Sequence, residues 1–197
     1  MNYLAHLLLA DDSDASRIGN LLGDFATGTI ESFAEQYPPE ILRGIRMHRA
    51  VDRFTDSHKV FKEARNLLAP GRRRFAGIII DIIFDHYLCR HWQDYSNQPL
   101  EQFIEEVYRA LDTHPEWWAG RLSRVYPMMK HENWLMTYSS LEGISLTLKR
   151  VSTRSPRVTK IAGGADDLRE NYNSFESHFH AFMPDLLDFA DTWKRKN

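Results

Sequence analysis

Histidine and aspartate side chains interrupt several otherwise apolar segments of this sequence. His48 and Asp52 lie four residues apart, so on a helix they share a face with Ile41 and Ile45. Burying a carboxylate costs several kcal/mol unless a cation or a set of hydrogen bonds compensates its charge. The spacing therefore indicates that a cation, with a metal ion as the first candidate, faces Asp52 inside the fold.

The same residue types recur in other apolar segments. The complete set is His6, Asp24, His48, Asp52, Asp81, Asp85 and His86. Imidazole and carboxylate ligands suit a divalent ion such as Mn²⁺ or Mg²⁺. The set predicts a metallohydrolase centre, in which an ion orients a phosphate oxygen and activates a water molecule. For each residue taken singly, a hydrogen-bonded core histidine or a helix-capping aspartate is the alternative interpretation.

Arginines cluster on and near the segment that carries His48 and Asp52. They are Arg43, Arg46, Arg49, Arg53, Arg72, Arg73 and Arg74. Guanidinium groups bind phosphate in a bidentate manner and also attract acidic partners. These residues predict a local basic surface, although a solvated face balanced by nearby acidic side chains explains them equally well.

Length and composition restrict the class of protein. The chain has 197 residues, of which 43% are hydrophobic and 26% are charged, and this predicts one globular domain over residues 1–197. A net charge of -2 gives no general attraction to nucleic acid. One cysteine, Cys89, cannot form an intrachain disulfide, and no apolar run has the length of a membrane span. We therefore expect a soluble cytoplasmic protein with neither nucleic acid nor membrane as a partner.

Helical spacing and proline positions define most of the predicted elements. Pro38-Pro39-Glu40 starts one helix, and Pro99 precedes another that has a clear apolar stripe. The run from 78 to 88 is apolar on nearly all sides, as in a central buried helix. Its acidic residues, Asp81 and Asp85, keep the spacing of one helical turn, which favours a helix over a strand.

Two boundaries in the C-terminal half follow from local signals. Ser139 and Glu142 have the spacing of a capping box, so a helix is expected to begin there. An aromatic helix that includes Phe182 is expected to end at Pro184. Because no alternating strand pattern of useful length occurs, the sequence predicts an all-α, single-domain helical bundle.

Four groups of residues form a joint pattern. They are Asn2-Tyr3-Leu4-Ala5-His6-Leu7; Gly19-Asn20-Leu21-Leu22-Gly23-Asp24-Phe25; Met47-His48-Arg49 with Asp52 and Asp56; and Asp81 with Asp85-His86 and Arg90-His91-Trp92. Together they resemble the bacterial acyl carrier protein phosphodiesterases, also called acyl carrier protein hydrolyases. The resemblance covers nearly the whole chain, including Arg154-Ser155-Pro156-Arg157.

The resemblance implies a specific reaction. Members of this family hydrolyse the phosphodiester between 4'-phosphopantetheine and a serine of holo-acyl carrier protein, which yields apo-acyl carrier protein and 4'-phosphopantetheine. It also implies dependence on Mn²⁺, with Mg²⁺ or another divalent ion as a possible substitute. The implied fold is a divergent relative of the helical HD phosphohydrolases.

Roles for individual residues follow from the resemblance combined with the residue pattern. We predict that one or two ions are held by His6, Asp24, His48, Asp52, Asp85 and His86. Asp81 is predicted to act as a ligand or base, and Arg49 or Arg90 to stabilise the phosphate charge. The acidic carrier and its phosphate are predicted to contact Arg46, Arg53, His91, Arg154 and Arg157.

Two other functions stay open at the level of the sequence. One is an HD-like, metal-dependent phosphohydrolase that acts on a nucleotide or another small phosphodiester. The other is a helical module that binds acyl carrier protein without catalysis, because arginine surfaces and aromatic helices also serve recognition alone. The sequence makes no prediction about the oligomeric state.

Overall fold

The apolar segments of the sequence are α-helices in the computed structural model, which describes residues 1–118 and 120–197. Helices account for 77% of the chain, and no strand occurs in the described ranges, which confirms the all-α class. The α-helices are α1 (Tyr3–Leu8), α2 (Asp14–Leu22), α3 (Pro39–Ser57), α4 (Lys59–Ala64), α5 (Ala76–Arg90), α6 (Leu100–Thr113), α7 (Arg121–His131), α8 (Trp134–Thr137), α9 (Leu141–Ser152), α10 (Gly164–Glu170) and α11 (Tyr172–Lys196). None of the helices within these ranges is both long enough and apolar enough to cross a lipid bilayer.

Helix α5 is the central buried element, as its apolar composition predicts. Ile79, Ile80, Ile83 and Phe84 are fully buried within it. The helix packs against α1, α9 and α11. The polar side chains of α5 therefore face neighbouring helices. Because α1 and α11 lie near the two ends of the chain, α5 contacts both ends.

The crossing of α2 and α3 depends on two glycines. A Cβ atom on Gly19 would lie 2.5 Å from the carbonyl oxygen of Ile41, and a Cβ atom on Gly44 would lie 2.8 Å from Cα of Gly19. Both distances are too short for any side chain, so only glycine permits this approach. The close crossing places the next turn of α3, which carries His48, beside the end of α2.

Helix α11 does not end at Pro184, and the predicted boundary is wrong. Pro184 lies inside the helix, which continues to Lys196. Proline has no N–H group to donate to the preceding turn, so one helical hydrogen bond is lost. However, Leu186 and Ala190 beyond it are buried in the core. Their packing offsets the lost hydrogen bond and keeps the C-terminal turns helical.

The predicted helix after residue 139 is present, but its cap lies one residue later. The side chain of Ser140 accepts a hydrogen bond from the N–H of Gly143 at 3.0 Å. The hydroxyl of Ser139 instead donates to the carbonyl oxygen of Met136 at 2.7 Å. The predicted capping box of Ser139 and Glu142 is therefore wrong, because the preceding turn already engages Ser139.

Candidate active site

Two stacked imidazole rings and one carboxylate meet between α1 and α3. The rings of His6 and His48 lie within 21° of parallel, with centroids 3.7 Å apart. Nε2 of His6 lies 3.1 Å from Oδ1 of Asp52, and Nε2 of His48 lies 3.1 Å from Oδ2 of the same carboxylate. Candidate ligand atoms of the three residues all lie within 4.8 Å of one another. The fold thus brings together three of the residues that were predicted to bind metal.

A hydrogen bond behind the His48 ring determines which nitrogen faces Asp52. Nδ1 of His48 donates to the carbonyl oxygen of Asn20 at 2.7 Å, so Nε2 of the neutral ring presents a lone pair. A lone pair and a carboxylate oxygen at 3.1 Å repel each other unless a proton or a metal ion lies between them. A carbonyl oxygen behind the ring is also the usual partner of a metal-binding histidine.

The His6 ring has bonding capacity that its protein neighbours leave unused. Its Nε2 lies 3.1 Å from the carbonyl oxygen of Met1 as well as near Asp52. Its Nδ1 is buried and has no hydrogen-bond partner among the described residues. Asp24 adds a further carboxylate, with Oδ1 4.0 Å from Nε2 of His48. This nitrogen and oxygen donor set fits a divalent ion such as Mn²⁺.

The environment sets different pKa values for the groups of this cluster. Burial, and then the neighbouring His48, lowers the pKa of His6 to about 3. Burial also disfavours protonated His48, but the hydrogen bond to Asp52 and the charges of Asp24 and Asp52 raise its pKa above the ordinary value. Although burial opposes ionisation of Asp52, its hydrogen bonds to His48 and His6 hold its pKa below the usual range. A negative carboxylate therefore lies between the rings at neutral pH.

Gly23 allows the His48 ring to lie directly against the end of α2. A Cβ atom on Gly23 would lie 2.1 Å from Cγ of His48. Any larger residue would overlap the ring. Close packing against His48 therefore explains why glycine occupies position 23 of the motif noted in the sequence. The preceding residues of α2 include Asn20, whose carbonyl oxygen orients the same ring.

A cavity of about 280 Å³ opens beside this cluster. Its wall includes the carboxylates of Asp24, Asp52 and Asp81. The wall also includes three arginines that come from later parts of the chain, namely Arg121, Arg150 and Arg154. Carboxylates that suit a cation and guanidinium groups that suit a phosphate thus line one concave site.

Aromatic rings hold two of these arginines in place. The guanidinium carbon of Arg150 lies 4.4 Å from the ring centroid of Trp134, and that of Arg121 lies 5.2 Å from the ring centroid of Phe25. Stacking on an aromatic face reduces the freedom of a guanidinium group before any ligand binds. The sequence predicted only Arg154 of the three. The four-residue spacing of Arg150 and Arg154 was a usable signal, whereas no comparable spacing pointed to Arg121.

Asp81 lines the cavity and contacts the amino group of Met1. That ammonium group donates to Oδ1 of Asp81 at 2.7 Å. Burial raises the pKa of Asp81 to about 6, although the ammonium charge opposes the shift. A carboxyl group that titrates near neutral pH can accept and return a proton during a reaction, and this suits the predicted role as a base.

Asp85 and His86 do not join the cluster. Asp85 accepts hydrogen bonds from the N–H groups of Leu4 and Ala5, at 2.8 and 3.3 Å, and so binds the first turn of α1. In His86, Nδ1 is hydrogen-bonded to the carbonyl oxygen of Tyr138 at 2.7 Å. Its Nε2 is hydrogen-bonded to the hydroxyl of Tyr172 at 2.9 Å. The fold therefore does not assemble the predicted ligand set that combined these two residues with His48 and Asp52.

Arg49 and Arg90, which were predicted to stabilise the phosphate, contact other parts of the protein. Arg49 donates to the carbonyl oxygens of Ala26 and Gly28, at 3.2 and 2.9 Å, and holds the loop after α2. The guanidinium group of Arg90 lies over the ring of Tyr172, 5.8 Å from its centroid. Neither side chain is part of the cavity wall described above.

The remaining residues predicted to bind substrate lie outside the cavity wall, apart from Arg154. Arg46 and Arg53 are exposed on α3. His91 pairs with Glu176, with Nε2 2.7 Å from Oε1. Arg157 is exposed. Contact of these residues with a partner protein stays a prediction.

An all-α fold that places two imidazoles beside a cavity lined by carboxylates and guanidinium groups is typical of a helical enzyme that cleaves phosphate esters. A sequence profile of the family described as acyl carrier protein phosphodiesterase matches residues 1–186. The chain therefore belongs to the acyl carrier protein phosphodiesterase family and is a hydrolase, which confirms the resemblance found in its sequence.

Individual relatives match over nearly their whole length. The acyl carrier protein phosphodiesterase of Pectobacterium atrosepticum is 36% identical over 193 residues, which cover 98% of this chain and 98% of the relative. Those of Photorhabdus laumondii and Escherichia coli are each 35% identical; the matches cover 97% and 96% of this chain and 96% and 97% of the relatives, respectively. No solved structure matches.

Proposed function

We propose that this chain hydrolyses the phosphodiester that joins 4'-phosphopantetheine to a serine of holo-acyl carrier protein. The products are apo-acyl carrier protein and 4'-phosphopantetheine. The names of the relatives support the carrier as substrate. The observation that carries the proposal is that Asp52, which contacts two buried histidines, lines the same cavity as three arginines. Cys89 cannot form an intrachain disulfide, which favours the cytoplasm as the compartment.

A divalent ion is part of the proposal, with Mn²⁺ first and Mg²⁺ as an alternative. His6, His48, Asp52 and Asp24 would hold it, and when bound it would supply a Lewis acid that activates water and neutralises charge on phosphate. The Asp52 side chain is 43% exposed where it lines the cavity. This carboxylate can therefore contact both the ion and the space that the substrate enters.

The three cavity arginines bind and orient the phosphate. Arg121, Arg150 and Arg154 present planar donor groups that match the two free oxygens of a phosphodiester. The cavity volume of about 280 Å³ is close to the lower end of small-ligand sites, about 300 Å³. A phosphate with part of the pantetheine arm suits this volume, whereas the folded carrier stays outside.

Asp81 moves the proton in the proposed reaction. Water attacks phosphorus and forms a new P–O bond, while the bond between phosphorus and the serine oxygen breaks. Asp81, with a pKa of about 6, accepts the proton of the attacking water and returns it to the serine oxygen. The phosphate stays on pantetheine, so the carrier recovers an unmodified serine.

Intact-protein mass spectrometry of holo-acyl carrier protein tests the proposal directly. With Mn²⁺ and this protein, we expect the carrier to lose the mass of phosphopantetheine. His48→Ala should abolish that loss, because it removes one ring of the cluster. His131→Ala, at an exposed position, is the matched control. Folding of each variant is checked by circular dichroism.

Two results would contradict the proposal. Turnover of a nucleotide panel without loss of mass from the carrier would indicate a general small-phosphodiester hydrolase. Tight binding of the carrier without turnover of either substrate would indicate a non-catalytic carrier-binding protein.

A further inference from the structure

A second group of metal-binding side chains lies where the C-terminal end of α5 meets α11. His91 directly follows α5, and Glu176 and His180 lie one turn apart on α11. Nε2 of His91 is 2.7 Å from Oε1 of Glu176, and the ring centroids of His91 and His180 are 4.4 Å apart. Candidate ligand atoms of all three residues lie within 4.8 Å of one another.

We propose that His91, Glu176 and His180 bind a second divalent ion, Zn²⁺ or an ion of similar chemistry. Two imidazoles and one carboxylate are a common zinc donor set, in which water takes the fourth position. The spacing of Glu176 and His180 puts both donors on one face of α11. The third ligand, His91, comes from a different part of the chain, so the ion would join two elements.

Two neighbouring groups flank the His91 ring. The ring lies within 22° of parallel to the ring of Phe179, at a centroid distance of 6.3 Å. Behind it, Oδ2 of Asp94 lies 3.9 Å from Nδ1. This distance is too long for a hydrogen bond, but the negative charge favours a proton on Nδ1 and therefore the tautomer that offers Nε2 to an ion.

The site is accessible from solvent and separate from the catalytic cavity. His91 and Glu176 are each 26% exposed at their side chains, and His180 is exposed. None of these three residues is part of the described wall of the catalytic cavity. An ion here would therefore act on stability, by holding α11 against α5, rather than on the chemistry at Asp52.

Zinc binding to the full-length chain tests this second site. Because the active-site cluster also binds metal in our proposal, the His48→Ala variant serves as the background. Equilibrium dialysis with Zn²⁺, followed by metal analysis, should find one ion per chain in His48→Ala and none in His48→Ala, His180→Ala. His48→Ala, His178→Ala is the matched control and should keep one ion, since Nδ1 of His178 instead donates to the carbonyl oxygen of Ser174.

Thermal unfolding gives a second measurement that needs no substrate. At a Zn²⁺ concentration 100 times the Kd, the melting temperature of the background variant should rise by about 5 to 10 °C. Glu176→Gln should remove most of this rise. The proposal is wrong if His48→Ala binds no zinc, or if the His180 and His178 variants bind and melt alike. Such a failure leaves the proposed hydrolysis unaffected, because no readout involves the carrier.

Discussion

Asp52 is the residue on which the candidate centre converges, because both imidazoles contact its carboxylate and it also lines the cavity. Asp52→Asn keeps the shape of the side chain but removes its negative charge. We expect Mn²⁺ affinity to fall by about 100-fold or more, since substitution even of the groups that only support a metal ligand lowers affinity by about 10- to 100-fold. Titration of both proteins with Mn²⁺ measures the change in affinity. Asp191→Asn, an exposed position on α11, is the control, and equal affinities would contradict the assignment.

Arg121 is the cavity residue that no sequence pattern identified. Arg121→Gln should lower kcat/KM for holo-acyl carrier protein by about 10- to 100-fold, because a hydrogen bond to a charged group contributes about 1.5 to 3 kcal/mol. Arg124→Gln, on the same helix and exposed, is the matched control. If both variants hydrolyse the carrier equally well, Arg121 does not contact the phosphate.

At the scale of single elements, the end of α2 positions a ring of α3. Gly23→Ala would place a Cβ atom against the His48 ring, where the available distance is 2.1 Å. Overpacking of this kind costs about 1 to 3 kcal/mol in stability, and the displaced ring should also reduce turnover. Urea unfolding and the carrier assay measure the two effects. Gly71→Ala is the control, since its Cβ atom would make only an ordinary contact of 3.6 Å with Lys160.

The start of α1 depends on Asp85 of α5. In Asp85→Asn, one N–H group of Leu4 or Ala5 loses its acceptor, because the amide nitrogen cannot accept a hydrogen bond, whereas both oxygens of a carboxyl group keep acceptor capacity even when it is protonated. We expect a loss of about 1 to 3 kcal/mol in the free energy of unfolding near pH 5. Urea titration measures this loss, and wild-type stability in the variant would contradict it.

The same variant should also reveal a dependence on pH. Burial raises the pKa of Asp85 to about 7 in the folded protein, above its ordinary value of 3.8. Between these values the folded state holds a proton that the unfolded state has released, so this contribution to stability is lost as the pH rises through about 7. The stability advantage of wild type over Asp85→Asn should therefore shrink between pH 5 and pH 8. A constant difference would contradict the raised pKa.

At the scale of the whole molecule, Asp167 joins α10 to the segment before α5. It is 2% exposed, and it accepts from Nε and Nη2 of Arg72 at 2.5 and 2.7 Å and from the N–H of Ala69 at 3.1 Å. Asp167→Asn should cost about 1.5 to 3 kcal/mol in the free energy of unfolding, because it removes the negative charge that accepts from the Arg72 guanidinium group, whose side chain is itself 25% exposed. Urea unfolding measures this cost.

Asp166 provides the comparison for that measurement. The carboxylate of Asp166 is exposed, and its Oδ1 lies 3.1 Å from Nη1 of Arg169. An exposed ion pair contributes about 0 to 1 kcal/mol, so Asp166→Asn should be nearly neutral. Similar losses in both variants would show that the burial of Asp167 adds nothing to its ion pair.

The helical class and the four-residue pair of His48 and Asp52 were predictable from the sequence, because both depend on local spacing. A period of 3.6 residues places apolar side chains, and the polar residues among them, on definite faces of each helix. The family was also predictable, since its motifs extend along most of the chain. The error at Pro184 shows the limit of such local rules, because packing of Leu186 and Ala190 continues the helix beyond the proline.

By itself, the sequence determined which helices form and which residue types could bind a cation or a phosphate. Only the tertiary structure decided that His6 stacks on His48, that Asp85 binds the backbone of α1, and that Arg121 lines the cavity. The physical reason is that helical spacing fixes neighbours within about one turn. Which faces of distant helices meet depends instead on packing throughout the core, here including the glycine-mediated approach of α2 to α3.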